Sequence, residues 1–215
     1  MQLLTRFLRI FFHLLYHSFA WTYDLVAWTV SLGRWKDWGK SVLPFIEGPR
    51  VLELGHGPGH LQRLLRNLNL FTVGLDESRQ MCYLTKRRLL HNGYAQAYLM
   101  RGLAQSLPFP AESFDTIVST FPTEYIFERS TMLEVHRTLI NGGRVIVLPA
   151  AWIIGNSLME RYAAELFRVT GQTPSEPVEI ISKRLKEPFV EAGFEVKVEQ
   201  VEVKSSLVLI LIGTK

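Results

Sequence analysis

From residue 50 onward, short apolar runs alternate with stretches in which apolar residues recur every three to four positions, the signature of strands and amphipathic helices taken in turn. Arg50 to Leu54 predicts a first strand, and Leu61, Leu64, Leu65 and Leu68 mark one face of the helix after it. A second strand, FTVGLD, ends at Asp76; Ser78 stands where a helix to about His91 needs its cap, and Asn92-Gly93 closes that helix. Tyr94 to Arg101 predicts the third strand and Phe114 to Thr120 the fourth. MLEVHRTL then supplies a helix that Asn141-Gly142-Gly143 terminates before a fifth strand, RVIVLPA. After Ala150 the rhythm changes to a helix near Ser157 to Val169, a loop over Gly171 to Pro177 and a helix from about Val178 to Ala192. FEVKVEQVEV and SSLVLILIGT have no helix between them, so they are expected to pair antiparallel at the end of the sheet. This alternation specifies an α/β fold with a mostly parallel, doubly wound sheet covered on both faces.

The first 33 residues break the pattern. They are dense in Leu, Phe, Tyr and Trp, yet Arg6, Arg9, His13 and His17 fall on one helical stripe and Asp24 follows. A spanning helix needs about 20 largely apolar residues without charges, and these charges spoil every such window. The pattern predicts an amphipathic helix lying at a membrane interface; a lid or homodimer contact that buries the same apolar face on protein is the competing reading. A signal peptide fits less well, because His13 and His17 interrupt its core although Ser18-Phe19-Ala20 resembles a cleavage site. Residues 1–46 are thus expected to form an aromatic-rich helical appendage and residues 47–215 the main domain, with the basic, aromatic run GRWKDWGKSVLPF leading into it.

The 215 residues and 47% apolar content suit one sizeable core. One cysteine, Cys82, leaves no internal disulfide, and no Cys or His cluster has metal-ligand spacing, which points to a reducing, cytoplasmic compartment and no metal. The net charge of +4 is uneven: residues 1–101 hold 13 Lys or Arg against 6 acids. These cations are scattered or paired, without the aromatic interleaving that tracks a nucleic-acid strand, so no nucleic-acid partner is expected.

The densest chemistry lies in VLELGHGPGH, residues 51 to 60. Glycines at 55, 57 and 59 between strand and helix let bare backbone approach a ligand, with the helix N-terminus facing it. Asp76, at the end of the second strand, is placed to accept the hydroxyls of a ribose. A dinucleotide turn prefers G-x-G-x-x-G and has no need of an acid inside the first strand, whereas Glu53 would repel phosphate and attract an ammonium or sulfonium.

Together these segments resemble the class I S-adenosylmethionine-dependent methyltransferases, the group of methyltransferase type 11 kind that modifies small molecules, quinones and lipids on a Rossmann-like seven-stranded sheet. VLELGHGPG is similar to that family's first motif and VGLDESRQM to its second strand and helix. LPFPAESFDTIVS is similar to the entry to its fourth strand, and EVHRTLINGGRVIV to the turn into its fifth. The resemblance implies S-adenosyl-L-methionine as cofactor, with Glu53 and the backbone of Gly55, Gly57 and Gly59 around its methionine part and Asp76 on the ribose. His56 would sit beside the cofactor, Glu77 and Met81 near the adenine side, Leu103 and Ala104 against the ring, and Ser119 at the end of the fourth strand. The family often carries Gly-Asp-Ala where this chain has Gly102-Leu103-Ala104, so a carboxylate that meets the adenine is missing.

The implied activity is methyl transfer to a small apolar or aromatic acceptor, a lipid, quinone or secondary metabolite. Candidate catalytic groups are His56, Glu124 and Tyr125, the last two within STFPTEY after the fourth strand. Each has a plainer role open to it: Glu124 as a helix cap, Tyr125 as packing. His136 is expected to be structural. Aromatics at Phe19, Trp21, Tyr23, Trp28, Trp152 and Tyr162 are expected to wall the acceptor pocket, or else to pack the appendage on the domain. Two other functions stay open, a non-catalytic binding or scaffold protein of the same fold and a nicotinamide-dependent oxidoreductase. If residues 1–30 make peripheral contact with the inner face of a membrane, the chain associates with anionic liposomes. That association weakens with salt and disappears on deletion of residues 1–20; indifference to liposomes would favour the lid or dimer reading instead.

Overall fold

The computed structural model describes residue 28 and residues 31–154 and 178–215. Its strands are β1 (Arg50–Leu54), β2 (Phe71–Asp76), β3 (Leu99–Arg101), β4 (Phe114–Thr120), β5 (Leu139–Ile153), β6 (Glu195–Glu202) and β7 (Ser206–Thr214). The helices are α1 (Trp35–Lys40), α2 (His60–Asn67), α3 (Arg79–His91), α4 (Arg129–Thr138) and α5 (Val178–Glu191). One seven-stranded sheet runs in the order β3-β2-β1-β4-β5-β7-β6. The β1, β2, β3, β4 and β5 neighbours pair parallel, and β7 lies antiparallel between β5 and β6. This is the expected α/β, Rossmann-like sheet with its antiparallel C-terminal strand.

Strand alternation sorts the core into two layers. Leu52 and Leu54 of β1 join Met132, Val135 and Phe189 on one face, while Val51 joins Trp38, Leu61 and Leu65 on the other. Glu53, two residues after Val51, therefore belongs to the face covered by α2. At the opposite edge of the strands Arg50 clamps β1 to β4: its guanidinium Nη2 donates to Asp115 Oδ1 at 2.7 Å and its backbone N–H to Oδ2 at 2.8 Å.

Two strand boundaries differ from the sequence pattern. β3 is only Leu99–Arg101, because β2 offers it partners over Gly74, Leu75 and Asp76 alone. The residues ahead of it are held by side chains: the Arg66 guanidinium lies over the Tyr94 and Tyr98 rings and donates to the Gln96 carbonyl at 2.7 Å. α4 ends at Thr138, and β5 begins at once with Leu139 opposite Phe114. Asn141-Gly142-Gly143 is thus an irregularity inside β5, where the partner register jumps to Arg144 opposite Thr116, and not the stop between helix and strand. A Cβ at Gly143 would stand 2.9 Å from the Ile140 carbonyl oxygen, so the kink needs glycine there.

The stripe of Arg6, Arg9, His13 and His17, Asp24, the helix expected near Ser157 to Val169, and Phe19, Trp21, Tyr23 and Tyr162 lie outside the described residues. Among the described residues no helix is long and apolar enough to cross a membrane. The basic, aromatic run before β1 forms α1, and its Trp38, 1% exposed, is buried with Val42 in the layer that covers Val51. Trp38→Ala is expected to cost about 3 to 5 kcal/mol of stability in chemical denaturation; a loss below about 1 kcal/mol would mean that α1 is not part of the folding unit.

Candidate functional site

The carboxyl ends of β1, β2 and β4 converge on the glycine turn, Gly55 to Gly59. All three glycines are left-handed, with φ of 68°, 50° and 79°, a conformation that side chains disfavour. Gly59 caps α2, and a Cβ there would lie 2.4 Å from Thr85 Cγ2. Thr85, from α3, donates its hydroxyl to the Gly57 carbonyl at 2.7 Å. A Cβ at Gly57 would meet nothing within 4 Å, so this stretch of backbone is open to approach.

Asp76 holds the turn from the second strand. Its Oδ2 accepts the Gly57 N–H at 2.9 Å and its Oδ1 the Ser78 N–H at 2.8 Å, while Ser78 caps α3 by accepting the Met81 N–H. Each carboxylate oxygen keeps a second lone pair, so the pair can still receive a diol.

Glu53 is 1% exposed and pairs in register with Gly74 of β2 and Val118 of β4. Gly74 makes the room: a Cβ there would lie 2.8 Å from His56 Cδ2 and 3.2 Å from Gln62 Nε2. Burial raises the Glu53 carboxyl to about 8; a hydrogen bond from Gln62 opposes the shift and nearby Asp76 adds to it. Glu53 Oε2 has no hydrogen-bond partner, nor does Gln62 Oε1 beside it. Two buried acceptors without donors, one of them acidic, suit a cation that carries N–H groups.

His56 is turned inward and is 3% exposed. Its Nδ1 lies 2.8 Å from the Gly57 carbonyl and 3.3 Å from the Thr85 hydroxyl, and its Nε2 lies 3.6 Å from Cys82 Sγ. Desolvation lowers its pKa. Its neighbours are β2, α3 and the turn, whereas Tyr125 stands on the β4 side. The Tyr125 hydroxyl is 3.2 Å from Ser119 Oγ, and a Cβ on Gly55 would come within 2.5 Å of it. Ser119 in turn donates to the Leu54 carbonyl at 2.8 Å. Glu124, in the first turn of the short 3-10 helix Glu124–Phe127, is exposed, with Thr123 at the cap position.

The adenine-side candidates divide. Met81 is fully buried and Ala104 is 5% exposed, both within the core, whereas Leu103 is 54% exposed on the loop after β3. Glu77 is exposed, and its carbonyl accepts from Arg101 Nε at 2.9 Å. His136 packs edge-on against Phe194, ring centroids 5.1 Å apart, as a structural residue would.

Of the aromatics expected around an acceptor, Trp152 is buried in β5 and Trp28 is 63% exposed. The ring pair beside the site is a different one. Trp35 of α1 stacks on Phe121 at 4.0 Å between centroids, next to a cleft of about 100 Å³ at the ends of β4 and α2. Phe121 has a left-handed φ of 50°. The sequence signals Trp35 only as part of an aromatic run, and Gln62 and Thr85 carry no sequence signal of this role. They are recognised by what the turn brings them against.

Comparison with known proteins agrees with this architecture. Residues 52–147 match the family model for a methyltransferase domain. The chain is 28% identical over 162 residues to the ubiquinone/menaquinone biosynthesis C-methyltransferase UbiE of Methylococcus capsulatus, covering 72% of this chain and 65% of the relative. It is 32% identical over 140 residues to a demethylmenaquinone methyltransferase of Thermotoga maritima, covering 62% and 59%. The chain thus spans about three fifths of the length of these curated relatives. Its fold matches a SAM-dependent methyltransferase from Aquifex aeolicus with a TM-score of 0.60 at 16% identity, over 84% of this chain and 92% of that one.

The buried carboxyl has a measurable signature. Its folded pKa lies above the ordinary 4.5, so between that value and about 8 the folded protein binds more protons than the unfolded chain, and stability falls as pH rises through that window. Glu53→Gln removes this loss. It is expected to raise the melting temperature by several degrees at pH 8 and by little at pH 5, checked by thermal unfolding at both values; equal shifts at the two values would contradict the protonated carboxyl.

Proposed function

We propose that this chain is a class I S-adenosylmethionine-dependent methyltransferase, which transfers a methyl group from S-adenosyl-L-methionine to a small apolar or aromatic acceptor of quinone type. The observation that carries the reading is the buried, partnerless Glu53 Oε2 beside an open left-handed glycine turn. The relatives' names, a ubiquinone/menaquinone biosynthesis C-methyltransferase and a demethylmenaquinone methyltransferase, support the acceptor class.

The residues fit the cofactor. Glu53 and Gln62 offer acceptors to the ammonium of its methionine part, and Asp76 offers its remaining lone pairs to the ribose. Gly57 leaves the backbone bare between them. Leu103, exposed on the loop after β3, and Ala104 flank the adenine in this reading, with Glu77 and Met81 on the same side. When bound, S-adenosylmethionine supplies a sulfonium-activated methyl group open to in-line attack.

The protein's part is alignment, which can supply about 7 to 11 kcal/mol of the barrier when reacting atoms are held about 3 to 3.5 Å apart. Tyr125, fixed by Ser119 over Gly55, is the polar group best placed to orient an acceptor hydroxyl at the carboxyl edge of the sheet. Glu124, exposed beside it, is the candidate to take a proton from an acceptor that arrives protonated. His56 acts as a support: its ring is buried against Gly57, Thr85 and Cys82, so it holds the turn from behind. A peripheral membrane contact through residues 1–30 would bring such an acceptor from the bilayer, and rests on the charge pattern of that segment.

Calorimetric titration with S-adenosylhomocysteine tests the reading. Binding is expected in the micromolar range, at least tenfold weaker in Asp76→Ala. No binding, or binding unchanged by that substitution, would overturn it. Methyl transfer to a demethylated quinol, about tenfold slower in Tyr125→Phe, tests the chemical step.

A further inference from the structure

The cleft beside the site is lined by Trp35, Lys36 and Lys40 of α1, by His60 and Arg63 of α2 and by Phe121 after β4, among other residues. Its lining joins the stacked Trp35 and Phe121 rings to cationic side chains. The four cationic or basic side chains are not equivalent. Lys40 donates to Asp37 Oδ1 at 3.1 Å, and Asp37 also meets Lys204 at 2.5 Å, so this acid is shared between two lysines. His60 Nε2 accepts from Arg88 Nη1 at 3.0 Å. Lys36 and Arg63 differ: no acid among the described residues pairs with either.

Arg63 carries the second observation. Its Nε is buried and has no hydrogen-bond partner. The side chain is thus anchored with its Nε closed off from water and its charge unmatched by any acid among the described residues, and an oxyanion in the cleft that Arg63 lines would supply the missing counter-charge. Arg63 also lies in the opening turns of α2, whose first turn holds no acid, so the helix dipole adds to the positive potential.

From these observations we propose that the cleft is the seat of an anionic head, a carboxylate or phosphate, on an aromatic acceptor. The ring lies against Trp35 and Phe121 and the head is gripped by Arg63 and Lys36. The proposal rests on the methyltransferase reading and narrows it to a quinone-type ring that bears an acidic substituent, which gives these two cations a partner while the ring meets the aromatic side chains. Thr120 ends β4 with Phe121 next in the chain, and His60 follows Gly59, so a ring held here lies beside the glycine turn.

The test is a ligand-observed NMR titration of the full chain with benzoate, phenyl phosphate and benzamide, with and without S-adenosylhomocysteine. At least one of the two acids is expected to bind at least tenfold more tightly than the amide, and that preference is expected to shrink on going from 50 to 500 mM salt. The stronger acid identifies the head. Arg63→Gln is expected to bring the ratio to within about twofold while S-adenosylhomocysteine binding stays within twofold of the unaltered protein. Lys36→Gln, at an exposed position, provides the same reading if Arg63→Gln fails to fold. Equal binding of acids and amide, no binding of either acid, or a ratio unchanged in the folded variant overturns the proposal. Loss of S-adenosylhomocysteine binding in the unaltered protein would instead overturn the methyltransferase reading itself.

Discussion

A carboxyl group buried in the middle of a parallel sheet is the constraint around which the site is arranged. Glu53 occupies a position where alternation demands a core residue, and a charge there is expensive unless it is matched. The fold lowers the cost without removing it. Gly74 opposite clears a space, Gln62 from α2 gives one hydrogen bond, and the proton is retained to about pH 8. What is left over is a carboxyl oxygen with no hydrogen-bond partner, a demand that the rest of the site is shaped to satisfy.

The glycine turn answers to the same demand from the other side. Left-handed backbone at three alternate residues is loose unless something fixes it, and here two side chains from outside the motif do so. Asp76 draws in the Gly57 N–H, and Thr85 of α3 fills the place that a Cβ on Gly59 would take. The turn is therefore held from β2 and α3 together, and His56 fills the space behind it. A cradle built in this way is preorganised, and the binding energy of a ligand need not be spent on ordering it.

Much of this was legible in the chain itself, for physical reasons. β1, β2 and β4 are short runs with one buried face or two, so their alternation and their ends could be read directly, and Glu53, the glycines and Asp76 followed from their places on them. β3 and β5 were harder, because their lengths depend on partners: β3 stops where β2 stops pairing with it, and β5 continues from α4 through Gly142 and Gly143 because Phe114 takes Leu139 as its neighbour. The inward turn of His56 could not be read at all. A histidine between glycines looks mobile in sequence, and only the gap above Gly74 shows where the ring goes. Arg63 likewise looks like an ordinary surface arginine until the cleft beside it is seen.

The left-handed backbone at Phe121 has a consequence for how freely this protein could change. A phenylalanine in that conformation costs on the order of 1 to 3 kcal/mol, and glycine or asparagine would relieve it. Relief would also remove the ring that stacks on Trp35 and with it one wall of the cleft. The same ring packs against Trp38 and the core layer around it, so a smaller residue would exchange backbone strain for lost burial. Position 121 thus holds a strained backbone because its own side chain is what keeps α1 against the end of β4.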